Sequence, residues 1–200
     1  MLLVRHGQTP TTGRVLPGRA PGLHLSDDGR KQAEAAAQRI ARLERVAAVY
    51  ASPLERARET AMPIARARGL ALSIERGLLE LDVGRWTGAR LDRLRKRPEW
   101  QTVQRYPSGF RFPEGESFTE MQARVTGTLA RLVERHRSAT LVAVSHADPI
   151  KAALAHALGM HLDLFQRLAI APGSITTIAY GAAGPTVLGV NTRGDGAAGP

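Results

Sequence analysis

Hydrophobic positions fall into short continuous runs separated by longer stretches in which apolar residues recur every three or four places. Leu2 to Arg5, Val46 to Ala51, Leu70 to Ile74 and Thr140 to Val144 read as buried strands. The last of these, Thr-Leu-Val-Ala-Val, has no polar alternation and suits a sheet covered on both faces. Ser174 to Tyr180 and Pro185 to Val190, separated by Gly181-Ala-Ala-Gly184, read as a hairpin. Strands alternating with helical stretches predict an α/β domain, with residues 1–193 as one unit and 194–200 as a flexible tail lacking apolar residues to bury.

Capping chemistry marks the helix starts. Ser26 opens a helix expected to run to about Arg45. Ser52-Pro53-Leu54-Glu55 and Ser117-Phe118-Thr119-Glu120 both have the spacing of a capping box, the first with proline at the first helical position. Asp148-Pro149 repeats the cap-then-proline pattern, and the helix begun at Ser117 should end near Arg137. Pro63, inside the Leu54 to Ala67 pattern, is expected to kink or divide its helix because it cannot donate a backbone hydrogen bond.

Composition narrows the chemistry. The chain has 200 residues and no cysteine, which excludes disulfides, thiolate nucleophiles and cysteine-bound zinc. The apolar start Met1-Leu2-Leu3-Val4 is cut short by Arg5, so neither a signal peptide nor a membrane span is legible, and a cytoplasmic setting is expected. A formal charge of +10 raises nucleic acid as a partner. Most arginines, however, lie in Ala/Leu/Glu-rich helical stretches, where a solvated face is the plainer reading. No nucleic acid or membrane partner is therefore expected. A homodimer is compatible with the sequence but not required by it.

Six of the nine aromatic residues lie between Trp86 and Phe118, and positions 90 to 111 hold seven cationic side chains against two acidic ones. This excursion reads either as a satellite cluster packed on the core or as a cover for a site that takes a second anionic group.

The candidate chemistry lies at strand ends. His6 follows the first strand, where open α/β sheets bind ligands, with the planar fork of Arg5 before it and the bare backbone of Gly7 after it. His146 ends the Leu141 to Ser145 run at the start of a helix, where amides and dipole favour an anion. Arg56, one turn into the helix after the second strand, can reach back to the same edge. Glu80, in Leu79-Glu80-Leu81-Asp82-Val83-Gly84, is a carboxylate among apolar neighbours that burial would keep protonated; Asp82 is the alternative donor. His136 reads as a surface residue and His156 as packed in an Ala/Leu helix. His24 and His161 have no assignment.

Together, Val4-Arg5-His6-Gly7-Gln8-Thr9, Leu25 through Ala33, Ser52-Pro53-Leu54-Glu55-Arg56-Ala57 with Thr60-Ala61, Glu80 through Gly88, Gly115-Glu116-Ser117 and Val144-Ser145-His146 resemble the histidine phosphatase superfamily, which includes the cofactor-dependent phosphoglycerate mutases. The resemblance implies a three-layer α/β/α sandwich with a mostly parallel central sheet. It also implies a metal-independent, cofactor-free phosphatase acting on a small phosphorylated metabolite through a phosphohistidine. In it His6 is the nucleophile, His146 and Glu80 are catalytic, and Arg5, Arg56, Gly7, Thr12 and Ala147 contact the phosphate. Thr12 stands where the family commonly has asparagine, and Ala147 where glycine is frequent. A phosphoglycerate mutase-type phosphomutase is the alternative. Against it, Leu81 and Val83 lie in the region where mutases of the family carry an arginine and a tyrosine. A basic, non-enzymatic nucleic-acid-binding domain is the reading from another class.

Overall fold

A computed structural model describes residues 1–193; the tail expected at 194–200 lies outside the described residues. The strands are β1 (Leu2–Arg5), β2 (Val15–Leu16), β3 (Ala48–Ala51), β4 (Leu72–Ile74), β5 (Ala89–Arg90), β6 (Leu141–Ser145), β7 (Ile175–Gly181) and β8 (Gly184–Thr192). The helices are α1 (Asp27–Ala41), α2 (Glu55–Ala67), α3 (Leu91–Leu94), α4 (Pro98–Arg105), α5 (Phe118–Arg135) and α6 (Ala147–Ala157). Six strands form the main sheet in the order β4-β3-β6-β1-β7-β8. The first four are parallel, and β7 and β8 add an antiparallel hairpin.

Period-two alternation in the strands produces the layers. Leu2, Val4, Val49, Val142 and Val144 face the small-residue stripes of α1 and α2, including Ala36, Ala37, Ile40, Ala57, Ala61 and Ile64. Leu3, Tyr50, Leu141 and Ala143 face the opposite side, against Met121, Val125 and Leu129 of α5 and Ile150 and Leu154 of α6. A sheet covered on both sides accounts for the unbroken apolar run of β6, whose five residues are all buried. The three-layer architecture with a mostly parallel sheet is thus observed.

Four local expectations are corrected. Ser52 does not cap α2: the N-cap is Leu54, without a side-chain bond, and the Ser52 hydroxyl instead meets a histidine at 2.8 Å. α2 runs through Pro63 as one helix and is not divided there. α6 is capped by His146, so Asp148 and Pro149 fall inside its first turn. The capping box at Ser117 is present with both reciprocal bonds. α1 ends at Ala41, four residues earlier than expected.

The excursion gains a strand that the sequence did not announce. β5 pairs with β2, Val15 opposite Arg90 and Leu16 opposite Ala89, tying the excursion to the loop that follows His6. Its aromatics chain inward: Trp86 meets Phe112 edge-on at 5.3 Å, Phe112 meets Phe118 at 5.5 Å, and Phe118 meets Phe165 at 5.2 Å. These buried rings are continuous with the core on the α5 and α6 side, so they pack, while the cationic residues of positions 90 to 111 stay exposed.

Candidate active site

The parallel strands β1, β3 and β6 end at one edge, and register brings their ends together. Arg5 lies opposite Ser145 and Ala51 opposite Val144; the amides of His6 and Ser52 donate to the carbonyls of Ser145 and Val144, both at 3.0 Å. Four side chains expected from the sequence converge there. The His6 and His146 rings lie with centroids 5.1 Å apart, inclined at 61°. His6 is 5% exposed, and His146 and Arg56 are completely buried. Arg5 reaches in from the strand end, with one guanidinium nitrogen donating to the Ile170 carbonyl at 2.5 Å.

Hydrogen bonds set the state of each imidazole. Nδ1 of His6 lies 2.7 Å from the Gly7 carbonyl, which can only accept, so Nδ1 carries the proton and Nε2 keeps its lone pair. Nε2 of His146 lies 2.8 Å from Ser52 Oγ. With the serine hydroxyl donating, the His146 proton sits on Nδ1, a buried atom with no protein partner. Burial holds His6 well below the ordinary histidine value of 6.5, reinforced by the charges of Arg5 and Arg56. His146 is lowered in the same way, by burial first and then by Arg56, His6 and Arg5. Both rings are therefore neutral near pH 7.

The guanidinium groups are incompletely used. Arg56 donates from Nη2 to the Gly18 carbonyl at 2.8 Å, but its buried Nε and Nη1 have no partner, and neither does Nε of Arg5. Unsatisfied buried donors cost about 1–3 kcal/mol each, more when charged. Donors on three converging residues, two of them cationic, fit an anion that accepts from all of them at once. Among the described residues, no three His, Asp or Glu side chains come together in a way that could hold a metal ion.

Glu80 is half-buried and accepts only the Leu81 amide, at 3.0 Å. Its carboxyl is pushed up to about 7 by burial and by the neighbouring charge of Asp148, against the pull of Arg56 and Arg5. Asp82 is differently engaged, accepting the Gly84 amide at 3.1 Å and pairing with Arg19 at 3.3 Å. Of the remaining candidates, Gly7 gives its amide to Thr60 Oγ1 at 3.0 Å, and its missing side chain faces α1: an added Cβ would lie 2.3 Å from the Gly29 carbonyl oxygen. Thr12 Oγ1 accepts the Thr9 amide at 2.9 Å, and Ala147 is the first residue of α6.

The other histidines stand apart from this edge in bonding. His24 is exposed and pairs with Glu59. His136 is half-buried and bonded to the Tyr50 hydroxyl at 2.8 Å, not a free surface residue. His156 is exposed, not packed, and His161 accepts the Asp163 amide. Sequence reasoning missed Ser52 as the partner of His146, Thr60 as the partner of Gly7, and Asp148 as the charge beside Glu80. It also missed Arg19 and Arg124, which no local pattern distinguishes from surface arginines.

Comparison with known proteins shows what the chain is similar to. The family model described as the histidine phosphatase superfamily, branch 1, matches residues 1–193. The chain is 34% identical over 178 residues to phosphoserine phosphatase 1 of Hydrogenobacter thermophilus, covering 82% of this chain and 79% of that protein. It is 31% identical over 181 residues to a probable phosphoglycerate mutase of Yersinia pestis, covering 89% and 83%. Among solved structures, a phosphoserine phosphatase mutant from Entamoeba histolytica in complex with phosphoserine superposes with a TM-score of 0.86 at 25% identity, covering 96% and 95% of the two chains.

Proposed function

Since the chain belongs to the histidine phosphatase superfamily, we propose that it hydrolyses phosphate monoesters through a phosphohistidine formed on His6. The observation that carries this reading is the buried pair of neutral imidazoles, 5.1 Å apart, among unpartnered guanidinium donors. Nε2 of His6 attacks phosphorus in line as the ester P–O bond breaks. Arg5, Arg56 and Nδ1–H of His146 hold the charge that spreads over the equatorial oxygens. Glu80, protonated near neutrality, gives its proton to the departing alkoxide. Water then attacks the phosphohistidine with ionised Glu80 as base, releasing phosphate and restoring both groups. In this scheme the amide of Ala147 and the hydroxyl of Thr12 lie at the rim of the phosphate pocket, and Gly7 acts by letting α1 pack close.

Hydrolysis is favoured over phosphoryl return. Leu81 and Val83, which lie where mutases of the family carry polar substrate contacts, are each 1% exposed and belong to the core. The mutase reading stays as the second because of the Yersinia relative. Incubation with 3-phosphoglycerate and a trace of the 2,3-bisphosphate separates the two: free phosphate supports hydrolysis, and 2-phosphoglycerate supports the mutase.

The substrate class proposed is a small phosphorylated metabolite with a second anionic group, for which phosphoserine, from the names of two relatives, is the first compound to assay. A cytoplasmic setting belongs to the same proposal. His6→Ala is expected to abolish both turnover and acid-labile phosphoryl transfer to the protein. A fully active His6→Ala protein rejects the mechanism.

A further inference from the structure

Glu80 lies in an irregular stretch just after a short 3-10 turn, Arg76–Leu78, and each of the four carbonyls from Gly77 to Glu80 is held by a side chain. Arg124, on α5, donates from Nη1 to Gly77 at 2.8 Å and to Leu79 at 2.9 Å. Ser145 Oγ donates to Leu78 at 2.8 Å, and Arg19 Nε donates to Glu80 at 2.8 Å. Glu116 ties the two arginines together. It takes two bonds from Arg124, at 2.8 and 2.9 Å, one from Arg19 at 3.0 Å, and accepts the Asp82 amide at 3.3 Å.

We propose that Arg124, Glu116 and Arg19 form a clamp whose role is to position Glu80 as the proton donor; this rests on the reading of Glu80 given above. Two features distinguish the clamp from ordinary surface pairing. All three side chains are largely buried, at 22%, 14% and 29% exposure, so their bonds are poorly screened. Both guanidinium groups also grip the Glu80 main chain and not its carboxylate, and their charges are met by Glu116 and Asp82. An arginine bonded directly to the Glu80 carboxylate would favour its ionised form and spoil it as an acid. The clamp fixes the position of Glu80 without that penalty. Arg124, Glu116 and Arg19 are thus positioning residues, whose bonds run to the main chain of Gly77, Leu79 and Glu80, to Asp82 and to one another.

The test compares two esters by kcat/KM, which reports the phosphoryl transfer to His6. An alkyl phosphate needs a proton on its leaving group, and 2,4-dinitrophenyl phosphate does not. For Arg124→Gln and Glu116→Gln, kcat/KM is expected to fall roughly tenfold to a hundredfold with the alkyl ester and to stay within about threefold with the dinitrophenyl ester. Placed on Glu80→Gln, the same changes should add little further loss. Arg19→Gln, the most exposed member, carries the test with the same selectivity should Arg124→Gln fail to fold. Equal losses on both esters, or no loss on either, while Glu80→Gln alone is selective, would overturn the clamp and leave the proton donor standing. If Glu80→Gln itself shows no leaving-group selectivity, the assignment of Glu80 fails and the clamp falls with it.

Discussion

At the scale of single residues, the imidazoles and guanidinium groups were legible because type and position coincide: each lies at a strand end or in the first turn of the helix that follows one, where α/β sheets bind ligands. Their partners were not, because Ser52 and Thr60 act through contacts 94 and 53 residues away in sequence. Ser52 looked like a helix cap, and its chemistry appears only when β3 and β6 lie side by side. Replacing it leaves a buried imidazole nitrogen unpaired and frees the ring to move its proton to Nε2. Ser52→Ala is therefore expected to cost about 1–3 kcal/mol in urea unfolding and to lower kcat/KM about tenfold, with Ser52→Thr recovering part of both. Glu80 makes a second prediction at this scale. A carboxyl titrating at about 7 is a competent acid only below that value, so kcat/KM for an alkyl phosphate should decline as pH rises through 7. Glu80→Gln should remove that decline; its persistence in the variant would assign the titration to another group.

Among the elements, strands were read correctly because buried parallel strands are written as uninterrupted apolar runs, and β1, β3, β4 and β6 fall within or beside the expected segments. Helix beginnings were less legible, since Ser52 and Asp148, which have the look of caps, are turned to the site, Ser52 by its bond to His146 and Asp148 by its charge beside Glu80. The pairing of β2 with β5 escaped notice because two-residue strands carry no periodicity. The junction of α1 with the loop after His6 rests on the reciprocal approach of Gly7 and Gly29. A Cβ on Gly29 would lie 2.0 Å from the Gln8 carbonyl oxygen, which itself accepts the Ser26 amide at 2.9 Å. Helix propensity alone would have Gly29→Ala stabilise α1 by about 1 kcal/mol. Backbone overlap predicts the opposite sign, a loss of about 1–3 kcal/mol. For a chain of this size that is a fall of several degrees in Tm, at roughly 2–4 °C per kcal/mol, with lowered turnover as the His6 loop is displaced. A rise in Tm would show that α1 is not pinned there.

For the molecule as a whole, a site built from buried neutral imidazoles makes folding depend on pH. His6 and His146 titrate well below 6.5 when folded and near 6.5 when unfolded. Below about 6.5 the unfolded chain binds protons that the native state refuses, and stability falls with pH. Glu80 acts in the other direction. Its folded value of about 7 exceeds the ordinary 4.5, so its contribution is full below 4.5 and is lost as pH rises through 7. Where the windows overlap, between about 4.5 and 6.5, two imidazoles oppose one carboxyl. The difference of one proton predicts a net loss of about 1.4 kcal/mol per pH unit on acidification, measurable as Tm between pH 5 and 6.5. Replacing His146 with Asn removes one imidazole and should nearly flatten that slope; an unchanged slope would show that the acid sensitivity arises elsewhere. Inorganic phosphate should raise Tm across the range by binding the native pocket alone. Its effect should be largest in the acid part, where a bound anion lets the imidazoles accept the protons that the empty, doubly cationic pocket repels.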